Sequence, residues 1–190
     1  EEINRRLERM GPLPNGITLR CTGKALELIG QDPIEESDRW EQDDTFADWY
    51  VNVVEYGRRK TLLIMHAKTA FTIVIPGVTK QKMRSLHKTI RRAISEGMES
   101  INAPEWETNL LLNNLKPLQV AKTRSRRVLG WMNDVAQVLP TFIRRGGGIG
   151  QVNPIKLDAQ LNDQIHSRDG DYIVPAEEML QSMGYYMVDE

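Results

Sequence analysis

The chain has 190 residues, of which 40% are apolar and 27% are charged, and its formal net charge is -1. This is an ordinary globular composition, and no segment reaches the roughly 18 consecutive apolar residues that a membrane helix needs, so we expect a cytoplasmic protein without a membrane partner. The single cysteine, Cys21, excludes an internal disulfide and a cysteine-based zinc site.

The charge is strongly segregated along the chain. Residues 1–57 carry 6 basic and 13 acidic side chains, residues 58–150 carry 17 and 5, and residues 151–190 carry 2 and 8, which gives -7, +12 and -6. Such asymmetry indicates either a basic surface for an anionic partner or acidic ends that fold against a basic centre.

The start of the chain predicts a helical arm, and a single domain follows it. Residues 1–16 read as a helical arm and a Pro/Gly linker, and residues 17–190 as one α+β domain with an acidic C-terminal tail. Residues 17–21 alternate as a strand does, and residues 22–29 favour a helix that ends at the next glycine. Residues 31–48 are acidic without periodicity, which predicts a solvated loop.

Three segments rich in β-branched and aromatic residues come next, at 49–56, 61–66 and 70–75, and Pro76 and Gly77 close the last of them. Short links separate the segments, so they predict an antiparallel meander. The fold class is therefore α+β, with a three- to four-stranded, largely antiparallel sheet packed against several helices.

The rest of the chain has mainly helical periodicity. From Thr79, a favourable N-cap, apolar residues recur at the spacing of one helix face as far as Gly97. Another helix is predicted to start at residue 125 and to be kinked or ended by Pro140, and the glycine run after it predicts a helix stop and not a phosphate cradle. Shorter helices are predicted over residues 105–115, 155–164 and 176–183, with a turn at 168–171.

Catalytic signatures are not found in the sequence. It contains no His-Glu-x-x-His, no Gly-x-Ser-x-Gly and no P-loop motif. His66, His87 and His166 are far apart and lack metal-ligand spacing, so we expect no metal and no cofactor.

The helix from Thr79 carries a basic stripe on the side opposite its apolar face, without an acid before Glu96. Like charges at three- and four-residue spacing repel by a few tenths of a kcal/mol per pair, so the stripe either faces an anion or is a solvated face screened by salt. Its members are Lys80, Arg84, His87, Lys88 and Arg91.

A second basic feature lies at the start of the helix from residue 125. Cations are disfavoured at a helix N-terminus, where backbone amides suit an anion, so we expect either a bound phosphate or carboxylate, or a carboxylate from the acidic tail. Asn133 and Asp134, two turns on, are candidates for a polar ligand, or they hydrogen-bond a neighbouring backbone. Trp49, Tyr50 and Trp131 would stack on bases if they were exposed near these arginines, but core packing is favoured for most of them. The cations are Lys122, Arg124, Arg126 and Arg127.

The segment from Thr123 to Asp134 resembles the Thr-x-Asn-Arg-Ser-Val-Leu-Gly-Ser-Met-Asn-Asp signature of an uncharacterised bacterial family, with Ser125, Arg127 and Trp131 in place of its Asn and two Ser residues. Other strings occur in the same order, Arg20-Cys21-Thr22-x-Lys24, Asp48-Trp49-Tyr50-x-Asn52 and Lys68-Thr69. The resemblance implies an association with plasmid-type mobile elements and no established activity. It nominates as site residues Arg20, Lys24, Asn52, Arg126, Asn133 and Asp134.

Three functional hypotheses follow. The first is a nucleic-acid- or phosphate-binding accessory domain of bacterial mobile-element or defence biology, with Arg84, Lys88 and Arg91 on backbone phosphates and the arginines of residues 124–127 as an anion pocket. The second is a protein-interaction module, such as an antitoxin-like partner, whose acidic segments cover its basic centre until a partner displaces them. The third is an enzyme on a phosphorylated substrate that uses Asp134, although the sequence offers no nucleophile or general base for it.

Overall fold

A five-stranded mixed sheet forms the centre of the computed structural model, which describes residues 16–36 and 44–183. Its order is β4-β3-β2-β1-β5, and a separate two-stranded hairpin is formed by β6 and β7. The strands are β1 (Ile17–Cys21), β2 (Asp48–Tyr56), β3 (Arg59–His66), β4 (Thr72–Val78), β5 (Leu118–Lys122), β6 (His166–Arg168) and β7 (Asp171–Ile173).

The α+β class is confirmed, and so is the antiparallel meander of β2, β3 and β4. The predicted sheet of three to four largely antiparallel strands was wrong in number and direction, because β1 pairs in parallel with both β2 and β5. Parallel neighbours need a crossover connection, and here four helices and three strands lie between β1 and β5 in the chain. The predicted arm and linker over residues 1–15 lie outside the described residues.

Helices cover both faces of the sheet. They are α1 (Gly23–Ile29), α2 (Lys80–Met83), α3 (Leu86–Ser100), α4 (Glu105–Asn113), α5 (Arg126–Arg145), α6 (Pro154–Asn162) and α7 (Pro175–Ser182). Alternation along β2 separates two cores, since Trp49 packs with α3 and α4 on one face and Tyr50 packs with α5 and α6 on the other.

Two helices differ from their prediction. The helix expected from Thr79 is broken after Arg84 into α2 and α3, although Thr79 does cap α2 by accepting a hydrogen bond from the Lys82 amide. The helix α5 does not end at Pro140 but continues to Arg145, and it buries Leu139 and Ile143 on either side of the proline. This packing compensates for the backbone hydrogen bond that proline cannot donate.

Pro76 and Gly77 do not end the third strand as predicted, since β4 continues through them to Val78. Most of the other local predictions hold with small shifts of boundary. Gly30 ends α1 in the left-handed conformation, with φ of 71°, as its position after the helix predicted. The predicted turn at residues 168–171 connects β6 and β7, two short strands that the sequence analysis missed. After α5, the amides of Gly146 and Gly148 donate to Phe142 and Ile143 carbonyls, so this run terminates the helix.

Candidate nucleic-acid interface

The basic stripe predicted after Thr79 lies on α2 and the first half of α3. Three of its cations, Lys80, Arg84 and Lys88, are exposed, and so is Lys82, which the predicted stripe did not include. None of these four forms an ion pair with an acid in the part of the chain that the structure describes. The Nζ of Lys82 donates to the carbonyl of Gly77, near the end of β4, at 3.1 Å. We call these four residues the α2–α3 surface: Lys80, Lys82, Arg84 and Lys88.

The far end of the stripe is tied into the fold. Arg91 is half-buried, and its Nη1 donates to the Leu112 carbonyl at the end of α4 at 2.8 Å. Burial lowers the pKa of His87, and the charges of Lys116 and Arg91 lower it further. The imidazole therefore lies near two cations, which disfavour its charged form.

The second basic feature, at the start of α5, has a different environment, because Arg124 forms ion pairs with carboxylates of the protein itself. Its Nε lies 3.4 Å from Oδ1 of Asp44, and its Nη2 donates to Oδ2 of Asp48 at 3.2 Å. The predicted internal carboxylate was one from the C-terminal tail, but these two carboxylates come from the acidic stretch that ends at the first residue of β2. The solvated loop predicted there was wrong for Asp44 and Asp48, which are buried.

The buried Arg20 belongs to the same cluster. Its Nε donates to Oδ1 of Asp48 at 2.8 Å, and its two terminal nitrogens donate to the carboxylate of Glu36, each at 2.9 Å. Burial opposes the charged form, but the hydrogen bond with Glu36 and the charge of Asp48 outweigh it and raise the pKa of Arg20. The hydrogen bond with Arg20 in turn lowers the pKa of Glu36. A guanidinium so fully paired is a structural element of the fold.

The start of α5 is also occupied by groups of the protein itself. The amide of Ser125 donates to the Tyr50 hydroxyl at 3.0 Å, and that hydroxyl donates to Asp44 at 2.8 Å. Burial and the neighbouring Asp44 raise the pKa of Tyr50, so the phenol stays neutral. The Ser125 hydroxyl accepts from the Val128 amide as the N-cap. These contacts fill much of the predicted anion pocket.

Arg126 and Arg127 remain at the surface of this end of α5. Arg127 pairs with Asp169 at 3.2 Å, and its guanidinium lies 5.3 Å from the Trp131 ring centre. The indole of Trp131 is buried and donates to the Ser167 carbonyl at 2.9 Å, which confirms the prediction of core packing.

The polar residues nominated by the resemblance do not converge on one pocket. Asn52 is half-buried and accepts hydrogen bonds from Thr22 and from the Val53 amide, so it ties β2 to the start of α1. Asn133 and Asp134 are exposed on α5. Lys24 is exposed on α1, which packs against α2. Of all the predicted site residues, the structure brings Arg20 and Arg124 together through Asp44 and Asp48.

Four of the residues that pair with Arg20 and Arg124, or lie between them, were not predicted as site residues. They are Glu36, Asp44, Asp48 and Tyr50, and their only signal was the recurrence of Asp48 and Tyr50 in one string of the resemblance. Across the described ranges no group of three histidine, cysteine or acidic residues is arranged to hold a metal ion. Burial raises the pKa of the Cys21 thiol to about 12, which does not favour a nucleophile.

The fold and surface define an α+β protein with an internally paired arginine cluster and an exposed cationic face. A family model described as "Domain of unknown function (DUF6933)" matches residues 18–178, and the chain belongs to that family. No curated protein and no solved structure matches the chain. Among the described helices, none combines the length and apolar character needed to cross a membrane.

Proposed function

We propose that this protein binds the phosphate backbone of nucleic acid through the α2–α3 surface. The observation that carries the proposal is the set of four exposed cations, Lys80, Lys82, Arg84 and Lys88, without an ion-pair partner among the described residues. Lys and Arg on one face neutralise phosphates and release counterions, which gives affinity without sequence recognition.

The contrast between the two basic features supports this choice of surface. Arg20 and Arg124 are faced by three carboxylates, those of Glu36, Asp44 and Asp48, so an incoming anion would meet negative charge there. The four cations of the α2–α3 surface form no ion pair among the described residues. The repulsion between these like charges, a few tenths of a kcal/mol per pair, is relieved when phosphate binds.

The proposal is tested by fluorescence anisotropy with labelled duplex and single-stranded DNA and RNA at a low and a moderate salt concentration. The variant Arg84→Gln/Lys88→Gln is expected to weaken binding about tenfold at low salt. The matched control Lys68→Gln/Lys122→Gln removes the same charge from exposed positions in the β3–β4 turn and at the end of β5. Wild-type protein that binds none of the four probes at low salt would contradict the proposal.

A third variant, Arg126→Gln/Arg127→Gln, distinguishes the two basic features. Both positions are exposed, so the variant is expected to fold like wild type and to bind less than threefold more weakly. If its affinity falls more than that of Arg84→Gln/Lys88→Gln, the start of α5 is the binding surface.

A second candidate function is a protein-interaction module whose acidic stretch is displaced by a partner. The contacts of Glu36, Asp44 and Asp48 with Arg20 and Arg124 favour it, because acidic residues here already cover basic ones. Pull-down with the wild-type chain and with Glu36→Gln tests it, since release of the acidic stretch is expected to increase partner capture. A role in bacterial mobile-element or defence biology belongs to either proposal and rests on the resemblance alone.

A further inference from the structure

The α2–α3 surface has an extension that lies far from it in sequence. Strands β2 and β3 are joined by a tight turn that carries Arg58, and β3 begins at Arg59. In the register of β3 with β4, Lys60 is opposite Val78, and the chain then continues through Thr79 into α2. The cations of the β2–β3 turn and those of α2 therefore lie at the same end of the sheet.

The C-terminal end of α5 reaches this end of the sheet as well. Arg144 and Arg145 form its last turn, where cations complement the helix dipole, and both are exposed. The loop that follows returns to β3, because a Cβ on Gly150 would lie only 3.4 Å from Nη1 of Arg59.

The two segments together form a second cationic surface, which we call the turn-end surface. None of its members forms an ion pair with an acid in the described ranges, and the nearest acid in strand register is Glu55, opposite Lys60. The surface consists of Arg58, Arg59, Lys60, Arg144 and Arg145.

Exposed aromatic rings are lacking on both surfaces within the described residues. Among the described residues, the one exposed large aromatic side chain is that of Tyr172. It lies on the β6–β7 hairpin, which Arg127 contacts through Asp169. From Arg127 to Arg144 the helix rises about 25 Å, so Tyr172 belongs to the opposite end of α5 from the turn-end surface. Tyr56, which pairs with Arg59, is half-buried.

We infer that the ligand is duplex nucleic acid, whose phosphates bridge the α2–α3 surface and the turn-end surface. This inference rests on the proposed function and specifies its substrate. Proteins that hold single strands combine cations with aromatic rings on which unpaired bases stack, whereas a duplex offers its phosphates without base contacts. Two cationic surfaces without exposed rings match the duplex.

The experiment compares a short duplex with one of its own strands as anisotropy probes, for wild-type protein, Arg59→Gln/Arg144→Gln and the control Lys68→Gln/Lys122→Gln. Wild type is expected to bind the duplex at least fivefold more tightly than the strand. The turn-end variant is expected to bind the duplex about tenfold more weakly at low salt and to flatten the salt slope by about 0.9 for each phosphate that it no longer neutralises. The control should stay within about twofold of wild type.

The charge-preserving variant Arg59→Lys/Arg144→Lys is expected to retain binding to within about threefold, which separates a charge effect from a folding defect. Tighter binding of the single strand, or a turn-end variant that behaves like the control, would overturn the inference. If wild type binds nucleic acid and only Arg84→Gln/Lys88→Gln weakens it, the inference fails and the proposed function stands. If wild type binds an acidic polypeptide but neither probe, both fail.

Discussion

The carboxylate of Asp48 accepts a hydrogen bond from the buried guanidinium group of Arg20 at 2.8 Å. Its second oxygen accepts from Arg124 and from the amide of Thr45. The Asp48 carboxylate, at the start of β2, therefore connects three parts of the fold. These are β1, the segment before α5 and the loop that precedes β2. Arg20 and Arg124, which the sequence suggested as anion-binding residues, thus stabilise the fold through internal ion pairs.

Replacing Asp48 by Asn is expected to lower the free energy of unfolding by about 3–5 kcal/mol, since it removes one of the two buried carboxylates that Arg20 and Arg124 share. The measurement is urea denaturation followed by circular dichroism. The control is Asp169→Asn, which breaks the exposed pair with Arg127 and should cost at most about 1 kcal/mol. Equal decreases in the two variants would show that the buried cluster contributes no more than a surface ion pair.

The carboxyl group of Asp158 predicts a dependence of stability on pH. Burial between α6 and β4 raises its pKa well above the usual value, with the charge of Glu96 adding to the effect of burial. Oδ1 accepts from the Val74 amide, and Oδ2 has no hydrogen-bond partner. Because the folded state binds the proton more tightly than the unfolded chain, stability is greatest below the unfolded pKa of about 3.9 and falls as the pH rises through the folded pKa.

Asp158→Asn keeps the acceptor for Val74 and removes the titration. The variant is expected to unfold at higher urea concentration than wild type at neutral pH, and the difference should shrink towards about pH 4. Thermal or urea unfolding over this range measures it. A pH-independent difference between the two proteins would exclude Asp158 as the cause.

His66 predicts a change of stability with pH in the opposite direction. Burial lowers its pKa from 6.5 to about 4, and its Nε2 donates to the Phe46 carbonyl at 2.9 Å in the neutral ring. The contribution of the neutral ring to the free energy of unfolding is therefore complete above pH 6.5. It decreases as the pH falls towards 4, by about 3 kcal/mol at 1.36 kcal/mol per pH unit. In His66→Gln the stability difference from wild type should diminish over this interval. A ring that titrates near its ordinary pKa in an NMR pH series would contradict the assignment.

Two helical glycines are expected to respond oppositely to alanine. A Cβ at Gly97 would lie 2.8 Å from Cγ1 of the buried Ile73, so Gly97→Ala should cost about 1–3 kcal/mol through overpacking, more than the helix gains in propensity. A Cβ at Gly130 meets no atom within 4 Å, so Gly130→Ala should stabilise α5 by up to about 1 kcal/mol. Melting temperatures that rise in both variants would show that α3 can move away from β4.

The sequence predicted what is determined locally. Thr79 caps a helix and Gly30 ends one because both effects act within a few residues. The break after Arg84 was missed because Met83, Leu86 and Ile90 keep the spacing of one apolar face across it.

Long-range features could not be predicted in this way. Strand β5 is short, with polar Gln119 and Lys122, and its partner β1 lies about 100 residues earlier in the chain, so no local pattern marks the parallel pair. For the same reason, Asp44 and Asp48 look like any acidic loop residues until Arg20 and Arg124 are brought to them.

The salt dependence of duplex binding tests the central claim most directly. For wild-type protein, the logarithm of the association constant should fall linearly with the logarithm of the salt concentration. Arg84→Gln/Lys88→Gln should flatten that slope by about 1.8, or about 0.9 for each of the two phosphates that these side chains neutralise. The control Lys68→Gln/Lys122→Gln should keep the wild-type slope. Absence of binding by the wild-type protein at low salt, or the same slope in all three proteins, would contradict the assignment of the α2–α3 surface.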